Sequence, residues 1–327
     1  MSEKKYRNQE PLADSQTPNI TAIIVSFEPD IQLLLNNIRL INQQVTHTVL
    51  VDNGSSNQQA LFENVQRSFI SLSIIALSDN MGLGVAHNHG IARAKELGSE
   101  YVLLLDQDSQ PESDMVEKLC LASRHLRSSE VENNRHAKPL AAVGPRYTGE
   151  GREDSFFVNF GWFKFRRQYC AESNDGLIPA DFLISSGSMI AIPVLEKIGY
   201  MDEGLFIDHV DTEWFLRAKQ LGYQSYGVCD AMMFHGLGEK TRTVKLFGLI
   251  RKRNVPQHKP FRYYYMFRNS VYLYKKGYSA LWMWNDFQRL CQIAIFYGVL
   301  YGPRRQNLSM MLQGVKDGFL GRQGKLK

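Results

Sequence analysis

The 327-residue sequence has few cysteines and no apolar run long enough to cross a membrane. Its four cysteines form no close pair such as C-x-x-C and no signal-peptide pattern precedes them, so we expect reduced thiols in a cytoplasmic protein. The longest charge-free apolar stretch, LCQIAIFYGVLYG, is too short to span a bilayer. Residues 1–19 are polar and are expected to form a disordered lead-in.

Acidic residues are scarce in the last quarter of the sequence. Residues 240–327 contain 18 Lys and Arg but only two acids, a net charge of +16, whereas the rest of the chain carries −11. The same stretch contains 16 aromatic residues. This asymmetry predicts a basic, aromatic C-terminal part attached to an acidic body.

Short apolar strands alternate with amphipathic helices up to residue 127. The strands are predicted at ITAIIVSF, HTVLVD, SIIALSD and YVLLLDQD. This alternation predicts an α/β fold with a mostly parallel sheet, and the continuous apolar strands indicate helices on both of its faces. The helix after the fourth strand is expected to have Pro111 in its first turn.

Acids stand at or beside the end of each predicted strand. They are Glu28, Asp52, Asp79 and Asp106. Open α/β sheets bind ligands at the carboxyl ends of their strands, so these acids are expected to converge on a binding edge. Asp106 and Asp108 can direct carboxylate oxygens toward Mg²⁺ or Mn²⁺, which prefer oxygen ligands and bridge to substrate phosphates. The alternative is that both acids only cap the following helix.

Two common nucleotide-binding motifs are missing. There is no G-x-x-x-x-G-K-[ST], and no G-x-G-x-x-G follows the first predicted strand. These absences exclude a P-loop and a Rossmann dinucleotide turn. A sugar nucleotide bridged by a metal ion therefore remains as the predicted ligand.

Five ordered blocks between residues 20 and 240 resemble the motifs of family-2 glycosyltransferases with the GT-A fold. The blocks are IIVSF, VDNGSS, DNMGLGVAHNHGI, LLLDQDSQP and FIDHVDTEWFLRAKQLGY. They are most similar to bacterial rhamnosyltransferases, which add L-rhamnose to O-antigen or other cell-surface polysaccharides. The resemblance implies a Rossmann-like GT-A catalytic domain over residues 20–240, with a nucleotide-binding half at about 20–127 and an acceptor half at about 140–240. A helical, basic and aromatic C-terminal region, 241–327, is expected to follow.

The resemblance also implies a set of donor-binding residues. The matching positions are Asp52, Asn53, Asp79, Asn80, Gly82, Asn88, Asp106 and Ser186. Asp52 matches the acid that holds the base or the ribose, and Asp106 matches an acid that faces both ribose and metal. The plain alternatives are a turn at Asp79, a helix-surface position for Asn88 and the start of a strand at Ser186.

On the acceptor side, the resemblance implies a catalytic base. Asp211 matches the general base that would deprotonate the acceptor hydroxyl, and Glu213 matches the second acid of the family. Asp208 is the alternative base. Because helix dipoles favour acids at helix N-termini, capping explains some of these acids without function.

The metal ion would be Mn²⁺ or Mg²⁺. His235 follows a further predicted strand and matches the family's metal-binding histidine, whereas a lone histidine of this kind is otherwise structural. Together with Asp108 and Asp106, it would hold the metal against the donor diphosphate.

The implied reaction is a single displacement with inversion at the anomeric carbon. L-Rhamnose would move from dTDP-β-L-rhamnose to a hydroxyl of a lipid-linked oligosaccharide. The alternative donors are UDP-galactofuranose and UDP-GlcNAc. A non-catalytic relative that binds a sugar nucleotide or a glycan is the alternative of another class.

The basic, aromatic C-terminal region has three interpretations. It could lie on the inner face of the cell membrane, because basic residues attract anionic lipid while aromatic residues settle at the interface. It could instead only pack on the catalytic domain, or bind nucleic acid. We expect a peripheral membrane protein and no nucleic-acid partner, since a membrane surface suits a lipid-linked acceptor. The sequence is compatible with an oligomer.

Overall fold

The computed structural model describes residues 18–69, 72–132, 138–148, 156–162, 164–235, 241–246, 249–256 and 258–326. Most of the predicted lead-in, residues 1–17, lies outside this range. Asn19 is already part of the fold, because its side-chain amide donates to the carbonyl oxygens of Leu97 (3.2 Å) and Gly98 (3.0 Å).

The described strands fall mostly in the first 235 residues. They are β1 (Ile20–Ser26), β2 (His47–Asp52), β3 (Ser73–Ala76), β4 (Tyr101–Asp106), β5 (Ser109–Pro111), β6 (Leu140–Thr148), β7 (Phe156–Asn159), β8 (Arg166–Tyr169), β9 (Leu177–Ala180), β10 (Met189–Ala191), β11 (Gln224–His235), β12 (Thr241–Leu246) and β13 (Leu249–Pro256).

The described helices alternate with these strands and then continue alone. They are α1 (Ile31–Asn42), α2 (Gln58–Ser68), α3 (Leu83–Glu96), α4 (Met115–Glu132), α5 (Ile192–Ile198), α6 (Val210–Gln220), α7 (Pro260–Lys276), α8 (Ala280–Ile293) and α9 (Arg304–Phe319). Short 3₁₀ turns occur at Cys170–Glu172 and Glu203–Leu205, and a π-helix at Ala294–Leu300.

The central sheet has the strand order β3-β2-β1-β4-β10-β6-β11-β5, and β9 also pairs with β11. The four strands predicted up to residue 127, β3, β2, β1 and β4, are all parallel, as the alternation of strands and helices indicated. In the second half β10, β5 and β9 run antiparallel to their neighbours. The carboxyl ends of β1, β2 and β4 therefore lie side by side.

Helices cover both faces of the sheet. Alternate residues of β1 divide between two apolar clusters, Ile23 and Val25 on one side and Ala22 and Ile24 on the other. The first cluster also contains residues of α3, α5 and α6, and the second contains residues of α1, α2 and α4. This two-faced burial is the reason why the strands read as continuous apolar runs.

Two of the four cysteines are joined. Cys170 and Cys229 form a disulfide with a Cα–Cα distance of 5.5 Å, linking the turn after β8 to β11. Cys120 and Cys291 are free. The expectation of reduced thiols is therefore wrong for Cys170 and Cys229. Their separation of 59 residues gave no sign of the pairing in the sequence.

The C-terminal region begins with strands rather than helices. β12 and β13 form an antiparallel hairpin, so the helical part starts at Pro260 and not at residue 241. The pyrrolidine of Pro260 suits the first turn of α7, and Gly277, with φ of 72°, ends it. No helix in the described ranges is both long enough and apolar enough to cross a bilayer.

Candidate active site

The two acids of the D-x-D motif stand at the end of β4. Asp106 is the last residue of this strand, Asp108 follows it, and both side chains are partly buried. The next helix begins only at Met115, because Ser109–Pro111 forms β5 instead. The two acids therefore do not cap a helix. The capping interpretation and the expected position of Pro111 are both wrong.

One loop contacts residues from both halves of the catalytic domain. The hydroxyl of Ser186 accepts a hydrogen bond from the backbone N–H of Asp106 (3.1 Å) and lies 2.5 Å from the hydroxyl of Ser109. The preceding residue, Ser185, donates its backbone N–H to the carboxylate of Asp211 (3.3 Å). Consecutive residues of this loop thus hold the D-x-D motif on one side and the candidate base on the other.

Tyr147, near the end of β6, belongs to the same site. Its hydroxyl donates to the carbonyl oxygen of Ser186 (2.6 Å). Burial raises the pKa of Tyr147 well above its ordinary value, and the negative charges of Asp106 and Asp211 raise it further. Both acids therefore lie close enough to act on one phenol. Tyr147 was not predicted from the sequence, where the signal was a tyrosine at the end of an apolar run, LAAVGPRY.

Asp211 has the environment of a general base. It lies in the first turn of α6, is partly exposed, and accepts a hydrogen bond from the backbone N–H of Thr212 (2.7 Å). Burial raises the pKa of Asp211, and the negative charge of Asp208 raises it further. The backbone hydrogen bonds from Thr212 and Ser185 act in the opposite direction and lower it. A carboxylate with a raised pKa is a stronger proton acceptor, which is what the role requires.

Glu213 has structural partners instead. It is 1 % exposed, and its carboxylate accepts hydrogen bonds from Tyr278 (2.5 Å), from Lys276 (3.2 Å) and from Arg217 (2.9 Å). Side chains two residues apart on a helix do not face each other, so Glu213 points away from Asp211. These contacts fasten α6 to α7 and explain the acid without a role in chemistry.

Asp208 lies in a strained loop before α6. Phe206, Asp208 and His209 all have positive φ, between 61° and 65°. Such conformations cost non-glycine residues about 1–3 kcal/mol each and persist only where surrounding contacts hold them. The carboxylate of Asp208 is paired with Arg262, whose Nε lies 3.1 Å from Oδ1. A base at this position would first have to leave that ion pair.

Buried polar residues of α7 hold this loop. The amide nitrogen of Asn269 lies 3.0 Å from the carbonyl oxygen of Leu205 and 2.8 Å from those of Ile207 and Asp208. The guanidinium of Arg268 donates to the same Leu205 carbonyl (2.7 Å), and both side chains are almost fully buried. The sequence analysis missed these residues, although a charged and an amide residue inside an aromatic helix were a signal.

Asp52 is buried at the end of β2. Its carboxylate accepts hydrogen bonds from the hydroxyls of Ser26 (3.0 Å) and Ser55 (2.6 Å), from the backbone N–H of Ser55 (2.9 Å) and from Gln58 (2.8 Å). These four bonds order the loop that leads to α2. Direct contact between Asp52 and a nucleoside stays a prediction.

Asn53 and Asn80 tie the loops after β2 and β3 together. Asn53 donates to the side-chain oxygen of Asn80 (3.2 Å) and accepts from the backbone N–H of Met81 (2.9 Å). The same Asn80 oxygen accepts from the backbone N–H of Gly82 (3.1 Å). This segment is therefore more than a plain turn.

Gly82 and Asn88 connect the start of α3 to the segment between α5 and α6. Gly82 has φ of 95°, and a Cβ there would lie 2.7 Å from the Cα of Phe206. Asn88 on α3 donates to the carbonyl oxygen of Met201 (3.0 Å) and to Glu203 (2.9 Å), and accepts from the backbone N–H of Met201 (3.0 Å). Asn88 thus holds α3 against residues 201–203 and is not a free residue on the helix surface.

Asp79 lies at an open cavity of about 420 Å³. The cavity is lined by Phe27, Glu28, Gly54, Ser56, Asp79, Asn80, Phe206, Phe261, Tyr265, Lys325 and Leu326. Hydrogen bonds from Lys325 and from the backbone N–H of Asn80 lower the pKa of Asp79, so this carboxyl is held as an anion. The cavity stands at the carboxyl ends of β1, β2 and β3, where a nucleotide is expected.

The D-x-D motif supplies the oxygen donors of the predicted metal site. His235 ends β11, and its backbone pairs with Ser109, the residue that follows Asp108. Its side chain lies outside the described residues, and among the described side chains no three metal-binding groups cluster. Asp106 and Asp108 fit a hard cation that takes one or two protein carboxylates and completes its shell with water and phosphate.

A central sheet with helices on both faces and acids at the carboxyl ends of its parallel strands is the architecture of α/β enzymes of the GT-A class. The family model for glycosyl transferase family 2 matches residues 21–128, which include Asp52 and Asp108 but not Asp211. A dTDP-rhamnosyl transferase RfbF from Shigella flexneri is 31% identical over 264 residues, covering 80% of this chain and 82% of that protein. The chain belongs to glycosyltransferase family 2 and is a glycosyltransferase, as the sequence motifs predicted.

Other comparisons agree with this class. A low-salt glycan biosynthesis hexosyltransferase, Agl10, from Haloferax volcanii is 25% identical over 218 residues, 66% of each chain. The solved structure of GalNAc-T7 with UDP, GalNAc and Mn²⁺ has a TM-score of 0.58 at 13% identity, covering 94% of this chain and 57% of that one. S. aureus TarS has a TM-score of 0.51 at 13% identity, covering 92% and 49%. These likenesses support the GT-A fold, and this chain spans only about half of each of the two larger proteins.

Proposed function

We propose that the protein is an inverting, metal-dependent rhamnosyltransferase. It moves L-rhamnose from dTDP-β-L-rhamnose to a hydroxyl of a lipid-linked glycan in cell-surface polysaccharide synthesis of the O-antigen type. The observation that carries this proposal is the loop in which Ser186 contacts Asp106 and Ser185 contacts Asp211. It joins a metal-binding motif to a general base across one site.

Asp211 takes the proton in the transfer. The acceptor oxygen attacks the anomeric carbon and forms the new glycosidic bond, while the bond from that carbon to the diphosphate oxygen breaks. The acceptor proton passes to the carboxylate of Asp211. Because the pKa of Asp211 is raised, the acidic limb of the pH profile of kcat is expected above the pH at which an ordinary aspartate ionises.

Asp108, Asp106 and His235 would hold Mn²⁺ or Mg²⁺ beside the donor. When bound, such an ion offsets the negative charge that builds on the leaving diphosphate. On the protein side, Ser186 holds the backbone of Asp106 in place, and Tyr147 stays protonated so that it can keep its hydrogen bond to the Ser186 carbonyl.

The rhamnosyl donor is proposed from the similarity to the protein described as a dTDP-rhamnosyl transferase. The experiment incubates the purified chain and a lipid-linked acceptor with dTDP-β-L-rhamnose, UDP-galactofuranose or UDP-GlcNAc, with Mn²⁺ or with a chelator. We expect metal-dependent release of dTDP only. Release of UDP from one of the other donors would replace rhamnose with that sugar in the proposal. If no donor gives metal-dependent turnover, a non-catalytic binding protein is favoured.

We also propose that the enzyme works on the cytoplasmic face of the cell membrane. The later helices support this, because large apolar side chains on α8, the π-helix and α9 are at least half exposed. They are Trp284, Phe287, Ile295, Val299, Leu312, Phe319 and Leu320. Apolar and aromatic side chains beside basic residues are the composition of an interfacial surface. The aromatic residues of α7, by contrast, are mostly buried.

A further inference from the structure

The chain that follows α9 returns to the nucleotide side of the site. We call residues 321–326 the tail segment. The carbonyl oxygen of Gly324 accepts a hydrogen bond from the buried Arg268 (2.5 Å). The backbone N–H of Leu326 donates to the hydroxyl of the buried Tyr265 (2.8 Å). The tail segment is therefore fixed by α7, the same helix that holds the loop before α6.

Lys325 extends from the tail segment to Asp79. Its ammonium lies 2.7 Å and 2.9 Å from the two carboxylate oxygens of a residue 246 positions earlier in the sequence. The two side chains are 50% and 64% exposed, and an ion pair so open to water contributes little to stability. The contact therefore has little value as a structural fastening.

Lys325 changes the charge of the cavity. Among the described lining residues it is the only base, whereas Glu28 and Asp79 are acids. Phe206 and Tyr265 form a stacked aromatic wall beside it, with ring centroids 5.0 Å apart. An acidic cavity without a cation would repel the phosphates of a nucleotide. Lys325 supplies the missing positive charge at the cavity wall.

A nucleotide offers the groups that fit this wall. Its flat base packs on aromatic rings, and its carbonyl and phosphate oxygens accept hydrogen bonds from an ammonium group. We propose that Lys325 is a donor-binding residue whose ammonium donates to an oxygen of the nucleotide, while the tail segment closes the nucleotide side of the cavity. This inference rests on the proposed function and adds a contact contributed by the far end of the chain.

The test measures the affinity of dTDP by titration calorimetry with Mn²⁺ present and no acceptor. The full chain is compared with Lys325→Ala and with Lys316→Ala, which removes an exposed lysine of α9. We expect Lys325→Ala to bind dTDP about tenfold more weakly, as a lost charge-assisted hydrogen bond requires. Lys316→Ala should bind like wild type, and thermal unfolding should be unchanged in both.

A second arm identifies the oxygen involved. If Lys325→Ala weakens thymidine as much as dTDP, the ammonium contacts the base; if only dTDP is weakened, it contacts a phosphate. Equal or tighter binding of dTDP by Lys325→Ala would overturn the inference, since the tail would then be a bystander or a competitor for the cavity. Failure of the wild-type chain to bind dTDP would instead refute the proposed donor, and the inference with it.

Discussion

Asp211 and Glu213 are two residues apart on α6 and have different surroundings. Asp211 is partly exposed and, among the described residues, receives backbone hydrogen bonds and a weak contact from the Thr212 hydroxyl. Glu213 is buried between a tyrosine hydroxyl and two cationic side chains. The partners of Glu213 fix its carboxylate in the packing of α6, whereas the carboxylate of Asp211 is left accessible for the role proposed for it.

The first prediction concerns the base. We expect Asp211→Asn to lower kcat by about 10²–10⁴-fold, because the amide cannot take the acceptor proton. The affinity for dTDP should stay near that of wild type, since the role proposed for Asp211 is toward the acceptor hydroxyl and not the donor. Transfer assays and calorimetry on the same preparation provide the measurement. Retained turnover with lost donor affinity would remove the residue from this role.

Glu213→Gln is the matched control for this substitution. It removes one charge from the same helix turn but disrupts the contacts to Arg217 and Lys276. We expect about 1–3 kcal/mol lower stability with kcat changed far less than in Asp211→Asn. If Glu213→Gln stops turnover while remaining folded, the two acids share the chemistry.

His87 on α3 makes the second prediction, on pH dependence. It is buried, and neither ring nitrogen has a hydrogen-bond partner among the described residues. Burial lowers the pKa of His87 from 6.5 to about 4. The unfolded chain therefore binds a proton first as the pH falls. The contribution of His87 to the free energy of unfolding should be fully present above pH 6.5. It should fall by up to about 3 kcal/mol as the pH decreases to 4.

His87→Leu isolates this effect. Leucine has a similar volume and no titrating group, so the variant should lose about 3 kcal/mol less stability than wild type between pH 7 and pH 4. Urea unfolding at several pH values, compared between the two proteins, cancels the contributions of other groups. Parallel stability curves would show that His87 gains a proton in the folded state as readily as in the unfolded chain.

At the scale of elements, local patterns were sufficient for the first half of the fold. Apolar runs and helical periodicity predicted β1 to β4. The ends of these strands then identified four acids as candidate site residues, Asp52, Asp79, Asp106 and Asp108. The short strands β5 and β9 were not predicted, because three or four residues carry too little periodicity.

The remaining site residues depend on contacts that no local pattern contains. Asn269 donates hydrogen bonds to residues that lie 61 to 64 positions earlier in the sequence. Lys325 pairs with an acid that lies 246 positions earlier. The Cys170–Cys229 disulfide likewise spans 59 residues. Composition marked the C-terminal region as basic and aromatic. Only the fold shows that its helix α7 lies against the loop before α6.

The third prediction tests α7 as the support of the loop before α6. Asn269→Ala removes hydrogen bonds to Leu205, Ile207 and Asp208, so the positive-φ residues of the loop can relax and Asp211 loses its fixed surroundings. We expect about 1–3 kcal/mol lower stability together with an about 10–100-fold lower kcat. Because Phe206 of the same loop lines the nucleotide cavity, the KM for the donor should rise as well. Transfer assays and urea unfolding on one preparation provide the measurement.

Asn285→Ala is the matched control for this element. Asn285 is also a buried asparagine of the C-terminal helices, and its amide donates to Gly161 (2.8 Å) and Leu281 (2.6 Å), away from the loop. It should cost comparable stability and leave kcat close to wild type. Equal losses of kcat in both variants would mean that Asn269 acts only through overall stability.

At the scale of the whole molecule, the C-terminal region divides into two surfaces. α7 packs Tyr265 on Phe206 of the catalytic domain and Tyr263 on Tyr297 of the π-helix, which agrees with the packing interpretation for that helix. α8, the π-helix and α9 instead expose apolar residues, and residues 240–327 carry a net charge of +16. α7 thus supports the loop before α6, whereas α8, the π-helix and α9 expose apolar side chains together with the bases Arg304, Arg305 and Lys316.

The last prediction tests that exposed surface as a membrane contact. Trp284 and Phe287 are stacked, with ring centroids 6.2 Å apart, and both are half exposed. Changing both to Ser should weaken flotation with vesicles containing phosphatidylglycerol by about tenfold or more, since two interfacial aromatic contacts are lost. Added salt should weaken wild-type binding as well, because it screens the basic charge from the anionic lipid. Trp162→Ser, at a 76% exposed tryptophan outside this region, should leave flotation unchanged. If the double variant floats like wild type, the exposed apolar side chains do not contact lipid, and the acceptor must reach the site without membrane contact through α8.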